Sequence, residues 1–141
     1  MIELDRIQAS TEGFFPEVLG LTFVSVDLDR IVAEMVVSDA LCTLPGVLHG
    51  GAVMAFADTL GAYGTALNLP EAHRTTTIES KTNFFSSGRA GTTVVGECTP
   101  LHRGRTTMVW QTRVTGPEER LIAIVIQTQI VLPLERPSSA G

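Results

Sequence analysis

The chain has few of the residues that would mark a secreted protein. Cysteine occurs only twice, as Cys42 and Cys98, without a CxxC pair. A disulfide framework is therefore not expected, and the thiols should be reduced, as in the cytoplasm. The opening residues, MIELDRIQAS, lack a basic segment followed by an apolar run, so they do not resemble a signal peptide. These absences together predict a cytoplasmic protein.

Charged residues are also scarce. They make up 18% of the 141 residues, against 44% for apolar residues, and the net charge is −5. An acidic chain offers no general counter-charge to nucleic acid or to anionic lipid, so neither is an expected partner. The length fits a single domain over 1–141. The apolar content is slightly high for a monomer and favours an oligomer.

Alternation of apolar and polar residues predicts an antiparallel sheet interrupted by one helix. Residues 1–19 indicate short helices, residues 38–46 a loop, and residues 134–141 a flexible tail. The predicted strands start at Leu21 and Ile31 and continue at 75–86, 92–101, 105–115 and 120–133. This spacing is typical of an α+β meander with the helix inserted after the second strand.

The predicted helix starts near Leu48 within the segment VLHGGAVMAFADTLGAYG, residues 47–64, and is apolar on nearly every side. One charge at its centre and two glycines at its start favour a buried helix over a membrane span. Such a helix cannot pack on a sheet by one side and leave its other, equally apolar side exposed to water. We therefore expect the sheet to wrap it, or a second chain to cover the rest.

Asp58 is the one charge of this helix. A mid-helix aspartate can simply point to solvent, but the positions three and four residues away (54, 55, 61 and 62) are all apolar or glycine. Burying a carboxylate without partners costs several kcal/mol. Because such a cost is usually tolerated for function, we predict that Asp58 is a base, a nucleophile or a ligand-binding group.

His49, Gly50 and Gly51 open the helix. They can be explained as a tight turn with a histidine cap, or as an oxyanion site, because unpaired N–H groups at a helix start attract negative charge. Asp58 lies about 12 Å further along the helix axis, so one chain cannot bring both groups to one carbonyl. Two copies with antiparallel helices can, which predicts a homodimer with composite sites.

The residues LHGGAVMAFADT, with Gly46 three positions before the histidine, resemble the hotdog-fold acyl-CoA thioesterases. The likeness is to the PaaI-like group, related to the Arthrobacter-type 4-hydroxybenzoyl-CoA thioesterases, and it extends over about residues 20–132. It implies the hotdog fold, in which a five- or six-stranded antiparallel sheet wraps one long central helix. It also implies hydrolysis of acyl- or aryl-CoA thioesters, no cofactor beyond the coenzyme A of the substrate, and dimers that often pair into a homotetramer.

The resemblance assigns roles to single residues. Gly50 matches the glycine whose N–H polarises the thioester carbonyl, and Asp58 the acidic residue of the opposing subunit that attacks it or activates water. His49 is a structural and hydrogen-bonding member of the site, and Thr77 falls where relatives carry a Ser or Thr that places the water. The predicted substrate-binding residues include Gly51 and Thr43, although Thr43 departs from the Asn or Gln of many relatives.

A basic cluster stands out in this acidic chain. It can be a glycine turn with solvated arginines, or it can bind the phosphates of coenzyme A, which the family places at surface loops. The predicted CoA-binding residues are Arg89, His102, Arg103, Gly104, Arg105 and Thr106.

Other chemistries fit poorly. The sequence has no GxSxG, Walker or GxGxxG motif, and its three histidines lack metal-ligand spacing, so no metal is predicted. Two alternatives stay open: a hotdog hydratase or dehydratase, and a non-catalytic acyl-CoA-binding module. The acyl pocket is expected to be lined by apolar residues such as Phe14, Phe15, Leu44, Phe56 and Leu60.

Overall fold

A six-stranded antiparallel sheet wraps one long helix in the computed structural model, which describes residues 2–136. The helices are α1 (Leu4–Ala9), α2 (Phe15–Leu19) and α3 (Gly50–Leu67). The strands are β1 (Leu21–Val26), β2 (Ile31–Val36), β3 (Cys42–Thr43), β4 (Val47–Leu48), β5 (His73–Phe84), β6 (Thr93–Arg103), β7 (Thr107–Thr115) and β8 (Leu121–Pro133). This confirms the predicted α+β architecture. Of the tail predicted at 134–141, residues 137–141 lie outside the described residues.

The order of the strands differs from the predicted meander. Strands β6, β7 and β8 are consecutive neighbours, but β5 pairs with β8, so the order is β1-β2-β6-β7-β8-β5. The connection from β5 to β6 passes the start of α3, where the Leu48 N–H donates to the Gly88 carbonyl at 2.7 Å. As a result β5, with 12 residues, is an edge strand of the sheet.

The segment predicted as a loop at 38–46 contains part of a small hairpin. Strands β3 and β4 pair on either side of a cis Leu44–Pro45 bond. Leu48 belongs to this hairpin because it pairs with Cys42, so α3 begins at Gly50 instead of near Leu48 as predicted. The hairpin thereby fixes the main chain directly before the helix.

The core lies between α3 and the inner face of the sheet. Phe56 and Leu60 are fully buried, and a β-carbon at Gly96 of β6 would lie 2.8 Å from the Phe56 ring and 2.7 Å from Leu60. Trp110 packs in the same way on Gly64, where a β-carbon would be 3.0 Å from the indole. The prediction that Phe56 and Leu60 line the acyl pocket is therefore wrong, because both are core residues.

One face of α3 is left uncovered by the sheet. It carries Gly51, Met54, Ala55, Asp58 and Ala62, all partly or fully exposed. The face is apolar apart from Asp58, and most of its side chains are small. Within residues 2–136, no helix has the length and hydropathy needed to cross a membrane.

Candidate active site

The first N–H groups of α3 are almost all used within the chain. The Gly51 N–H donates to Nδ1 of His49 at 2.8 Å, so His49 is the N-cap of the helix. The N–H groups of Ala52 and Val53 donate to the His49 carbonyl at 2.9 and 3.2 Å. The Gly50 N–H has no acceptor within residues 2–136. Among the described residues it is thus the one donor at this positive helix end that is left for a ligand oxygen.

Both glycines at the helix start are in close contact with rings. A β-carbon at Gly51 would lie 2.9 Å from Nδ1 of His49, and one at Gly50 would lie 3.1 Å from Cζ of Phe84. Gly50 also lines an open groove of about 410 Å³ together with Phe84, Phe85 and the serines at 86 and 87. The start of α3 at Gly50 therefore borders a groove that is open to solvent.

Asp58 has hydrogen-bond partners from two strands. Its Oδ1 accepts from Oγ1 of Thr77 on β5 at 2.7 Å and from Nε2 of Gln127 on β8 at 3.2 Å. Its Oδ2 accepts no hydrogen bond from the residues that the structure describes. The carboxylate is partly exposed on the uncovered face of α3. The expectation of a buried carboxylate without partners is therefore wrong, because the sheet supplies donors on one side and leaves the other side open.

A second layer of polar side chains lies behind Asp58. Nε2 of Gln129 donates to Oγ1 of Thr77 at 2.6 Å, and Oγ1 of Thr75 donates to Oε1 of Gln129 at 3.1 Å. Gln127 and Gln129 are both fully buried. Sequence reasoning missed these two glutamines, although two amides at alternate positions of an otherwise apolar strand are an unusual pattern.

Gly50 and Asp58 of one chain stay apart. They lie eight residues apart in one continuous helix, which corresponds to about 12 Å along its axis. Both are accessible from outside the chain. Within a single copy, Gly50 and Asp58 therefore cannot act on the same carbonyl group.

The predicted CoA-binding residues fall into two groups. The main chain of Arg89 forms an isolated antiparallel β-bridge with Val47, beside the start of α3. Arg89 also lines a groove of about 330 Å³ with Arg120, Glu118 and Ser87. Ser87 also lines the groove at Gly50, so the two grooves adjoin. Sequence reasoning did not single out Arg120.

Residues 102–106 lie at the other end of the helix. The Nη1 of Arg103 donates to the Leu28 carbonyl at 3.2 Å and to Oδ1 of Asn68 at 3.3 Å, and Asn68 is the C-cap of α3. A β-carbon at Gly104 would lie 2.9 Å from the main-chain oxygen of Thr107, so the close approach of the backbone in this turn favours glycine. Within one chain, His102, Arg103, Arg105 and Thr106 are remote from Gly50.

The remaining predicted residues lie near the helix start. Thr43 is exposed on β3, and Leu44 beside it is 94% exposed. Phe14 and Phe15 are also exposed, although Phe15 borders a cavity of about 230 Å³ that reaches His49 and Gly51. A single chain therefore does not enclose an acyl group with these side chains.

Neither cysteine has the setting of a nucleophile. Burial raises the pKa of the Cys98 thiol to about 12, so it is protonated at neutral pH. Cys42 is partly buried at the edge of the core, and its thiol donates to the Ser38 carbonyl at 3.4 Å. Within the described chain, no group of histidine, cysteine, aspartate and glutamate could hold a metal ion.

Comparison with known proteins decides the family. The sequence model of the Thioesterase superfamily matches residues 45–123, which include the helix start, Asp58 and β5 to β7. The chain belongs to the Thioesterase superfamily. It is 31% identical to the 1,4-dihydroxy-2-naphthoyl-CoA hydrolase of Escherichia coli, over 85% of this chain and 88% of that protein.

Solved thioesterase structures share the whole fold. A thioesterase from Haemophilus influenzae superposes with a TM-score of 0.90 at 27% identity, covering 98% of this chain and 96% of that one. A mutant thioesterase from Pseudomonas aeruginosa also gives 0.90, at 29% identity and 95% and 96% coverage. These findings confirm the resemblance to hotdog-fold thioesterases, and this superfamily member is a thioester hydrolase.

Proposed function

We propose that this thioesterase hydrolyses acyl- or aryl-CoA thioesters to the free acid and coenzyme A, at two composite sites in a homodimer. The observation that carries the proposal is the Gly50 N–H, which has no acceptor among residues 2–136 and stands at the start of a helix whose uncovered face bears Asp58. The E. coli relative is by name a CoA-thioester hydrolase, which supports a substrate of this class.

The pairing of two copies is supported by the surfaces that one copy leaves open. Strand β5 is a long sheet edge, and Ile78, Phe84 and Phe85 on or beside it are 55%, 52% and 59% exposed. Such an edge tends to pair with another strand, and exposed apolar side chains favour burial. A second copy with an antiparallel helix covers both the edge and the open face of α3, and it brings Asp58 of each copy to Gly50 of the other.

Each group then has a defined part in the reaction. The thioester carbonyl oxygen accepts a hydrogen bond from the Gly50 N–H. This bond stabilises the negative charge that develops on the oxygen as a nucleophile attacks the carbonyl carbon. In one route a water attacks, the partner's Asp58 takes its proton, the C–S bond breaks, and the CoA thiolate leaves and is protonated. In the other route the carboxylate itself attacks, expels CoA, and the resulting anhydride is hydrolysed. Both routes use a free carboxylate oxygen, which Oδ2 provides.

The groove at Arg89 and Arg120 is the favoured phosphate site. It adjoins the groove at Gly50 through Ser87, so a pantetheine arm can run from the carbonyl to two guanidinium groups of the same chain. We expect Arg120→Ala to raise KM about tenfold or more with little change in kcat. The matched variant is Arg105→Ala. If it raises KM and Arg120→Ala does not, the phosphates lie at the 102–106 turn instead.

The activity is tested by thiol release. A panel of short-acyl, long-acyl and aromatic CoA esters should give turnover for at least one class, and enoyl-CoA hydration should be absent. We expect Asp58→Asn to lower kcat roughly 100-fold or more while the variant stays a dimer. Unchanged turnover in a dimeric Asp58→Asn protein would show that the assigned base or nucleophile is wrong.

A further inference from the structure

The inward row of β8 contains two amides where apolar side chains are expected. The row reads Ala123, Val125, Gln127, Gln129 and Val131, and all five are buried. Oε1 of Gln127 is buried without a hydrogen-bond partner among residues 2–136. An unpaired buried acceptor destabilises a core that an apolar side chain would fill at lower cost. Packing alone therefore does not explain Gln127.

The hydrogen bonds of this layer have a single direction. Oε1 of Gln129 lies 3.1 Å from the Thr75 hydroxyl, which also donates to the Ile130 carbonyl at 2.9 Å, and Nε2 of Gln129 donates to Oγ1 of Thr77 at 2.6 Å. Because that oxygen already accepts, the hydroxyl hydrogen of Thr77 is directed to Oδ1 of Asp58 at 2.7 Å. The chain of hydrogen bonds from Gln129 on β8 through Thr77 on β5 therefore ends at Oδ1 of Asp58.

Gln127 reaches Asp58 from the other strand. Its Nε2 lies 3.2 Å from both Oδ1 and the main-chain oxygen of Asp58, so the amide contacts the side chain and the helix backbone together. Gly61 makes room for it, because a β-carbon at that position would lie 2.4 Å from the same Nε2. A glycine in the middle of a helix is unfavourable, and the close contact with Gln127 explains why glycine occurs at this position.

We infer that Gln127 and Gln129 are positioning residues for thioester hydrolysis. Together with Thr77 they fix the rotamer of Asp58 and occupy Oδ1, so that Oδ2 is the oxygen that takes the proton of water or attacks the carbonyl. The inference rests on the proposed role of Asp58. It adds which oxygen reacts and which buried side chains keep that oxygen facing the substrate.

The test replaces the amide by an apolar side chain of similar size. In Gln127→Leu, Asp58 loses one donor and its fixed position, so kcat should fall roughly 10- to 100-fold. We expect KM to stay within about twofold, because Gln127 is fully buried and does not touch the substrate. The melting temperature should not fall, since the unpaired Oε1 is removed. Thr112→Val is the matched control: Thr112 is buried on β7, donates nothing to Asp58, and its loss should leave kcat unchanged.

A double-mutant cycle separates this role from a general effect on the core. If Gln127 acts through Asp58, adding Gln127→Leu to Asp58→Asn should cause no further loss of kcat. If the double variant loses the product of the two single fold-losses in kcat, the inference is overturned. An unchanged kcat in Gln127→Leu when Asp58→Asn alone is impaired would overturn it as well.

An unimpaired Asp58→Asn protein would instead overturn the proposed function. If Gln127→Leu fails to fold, Thr77→Val and Gln129→Leu probe the other branch. Each should lower kcat without changing KM, and unchanged kcat in both would contradict the inference.

Discussion

Replacing Gly50 by proline removes one N–H from the site and adds a ring whose β-carbon lies close to Phe84. Gly50 is the first residue of α3, a position where proline is well tolerated because its missing N–H has no helical acceptor. The preceding residue, His49, has φ −61° and ψ 135°, which a following proline permits. The N–H groups of the next three residues keep their bonds to His49. The helix and its cap should therefore survive.

The expected loss of activity follows from the role of that N–H. Removing one preorganised donor to a developing oxyanion costs about 2.7 to 4 kcal/mol, or roughly 100- to 1,000-fold in kcat. The control is Gly50→Ala, which keeps the N–H and adds a β-carbon 3.1 Å from Cζ of Phe84. Phe84 is half exposed and can move, so this variant should lose less than about tenfold.

Thiol release from a CoA ester measures kcat for both variants, and thermal unfolding monitors the fold. The reasoning predicts a large loss for Gly50→Pro, a small loss for Gly50→Ala, and similar melting temperatures for both. If Gly50→Pro keeps wild-type kcat, the Gly50 N–H does not bind the thioester carbonyl. If Gly50→Ala loses as much as Gly50→Pro, the contact with Phe84, and not the N–H, explains the effect.

Three further predictions concern buried groups. Gly61→Ala should lower kcat about tenfold, because its β-carbon displaces the Gln127 amide while the helix itself prefers alanine; a fully active variant would show that the amide is not required there. In native protein at pH 8 a thiol reagent should modify at most Cys42, and Cys98 should react only after unfolding, because burial raises the pKa of Cys98 from 9.0 to about 12. By the same linkage, the stabilisation from protonated Cys98 is complete below about pH 9 and is lost as the pH rises towards 12, which Cys98→Val should abolish in pH-dependent unfolding. Labelling of native Cys98 at pH 8 would contradict this account.

The parts of the site that lie on one helix could be predicted from the sequence. Gly50 and Asp58 stand out because helical periodicity shows what surrounds each of them, and their spacing fixes the distance between them. The glutamines of β8 could not be found in this way. Their importance depends on which face of the strand is inward and on the pairing of β8 with β5, which is distant in sequence.

Long-range pairing also explains the errors. The sheet order could not be predicted because a strand's neighbour is not encoded in its own alternation. The sequence favours Phe56 as a pocket residue because it does not show that Gly96, on a distant strand, accommodates the ring in the core. Arg120 was missed because the chain folds it next to Arg89 from a separate turn.

The central claim is that each active site uses Gly50 of one copy and Asp58 of the other. Differently tagged chains carrying Gly50→Pro and Asp58→Asn, each inactive alone, can be co-expressed and purified as mixed dimers. The account predicts about half of wild-type turnover, because one of the two sites receives both intact groups. Dimers of a wild-type chain with a chain carrying both substitutions should be inactive. Inactive mixed dimers of the single variants, together with a half-active dimer in the second arrangement, would place both groups of each site in one chain and contradict the account.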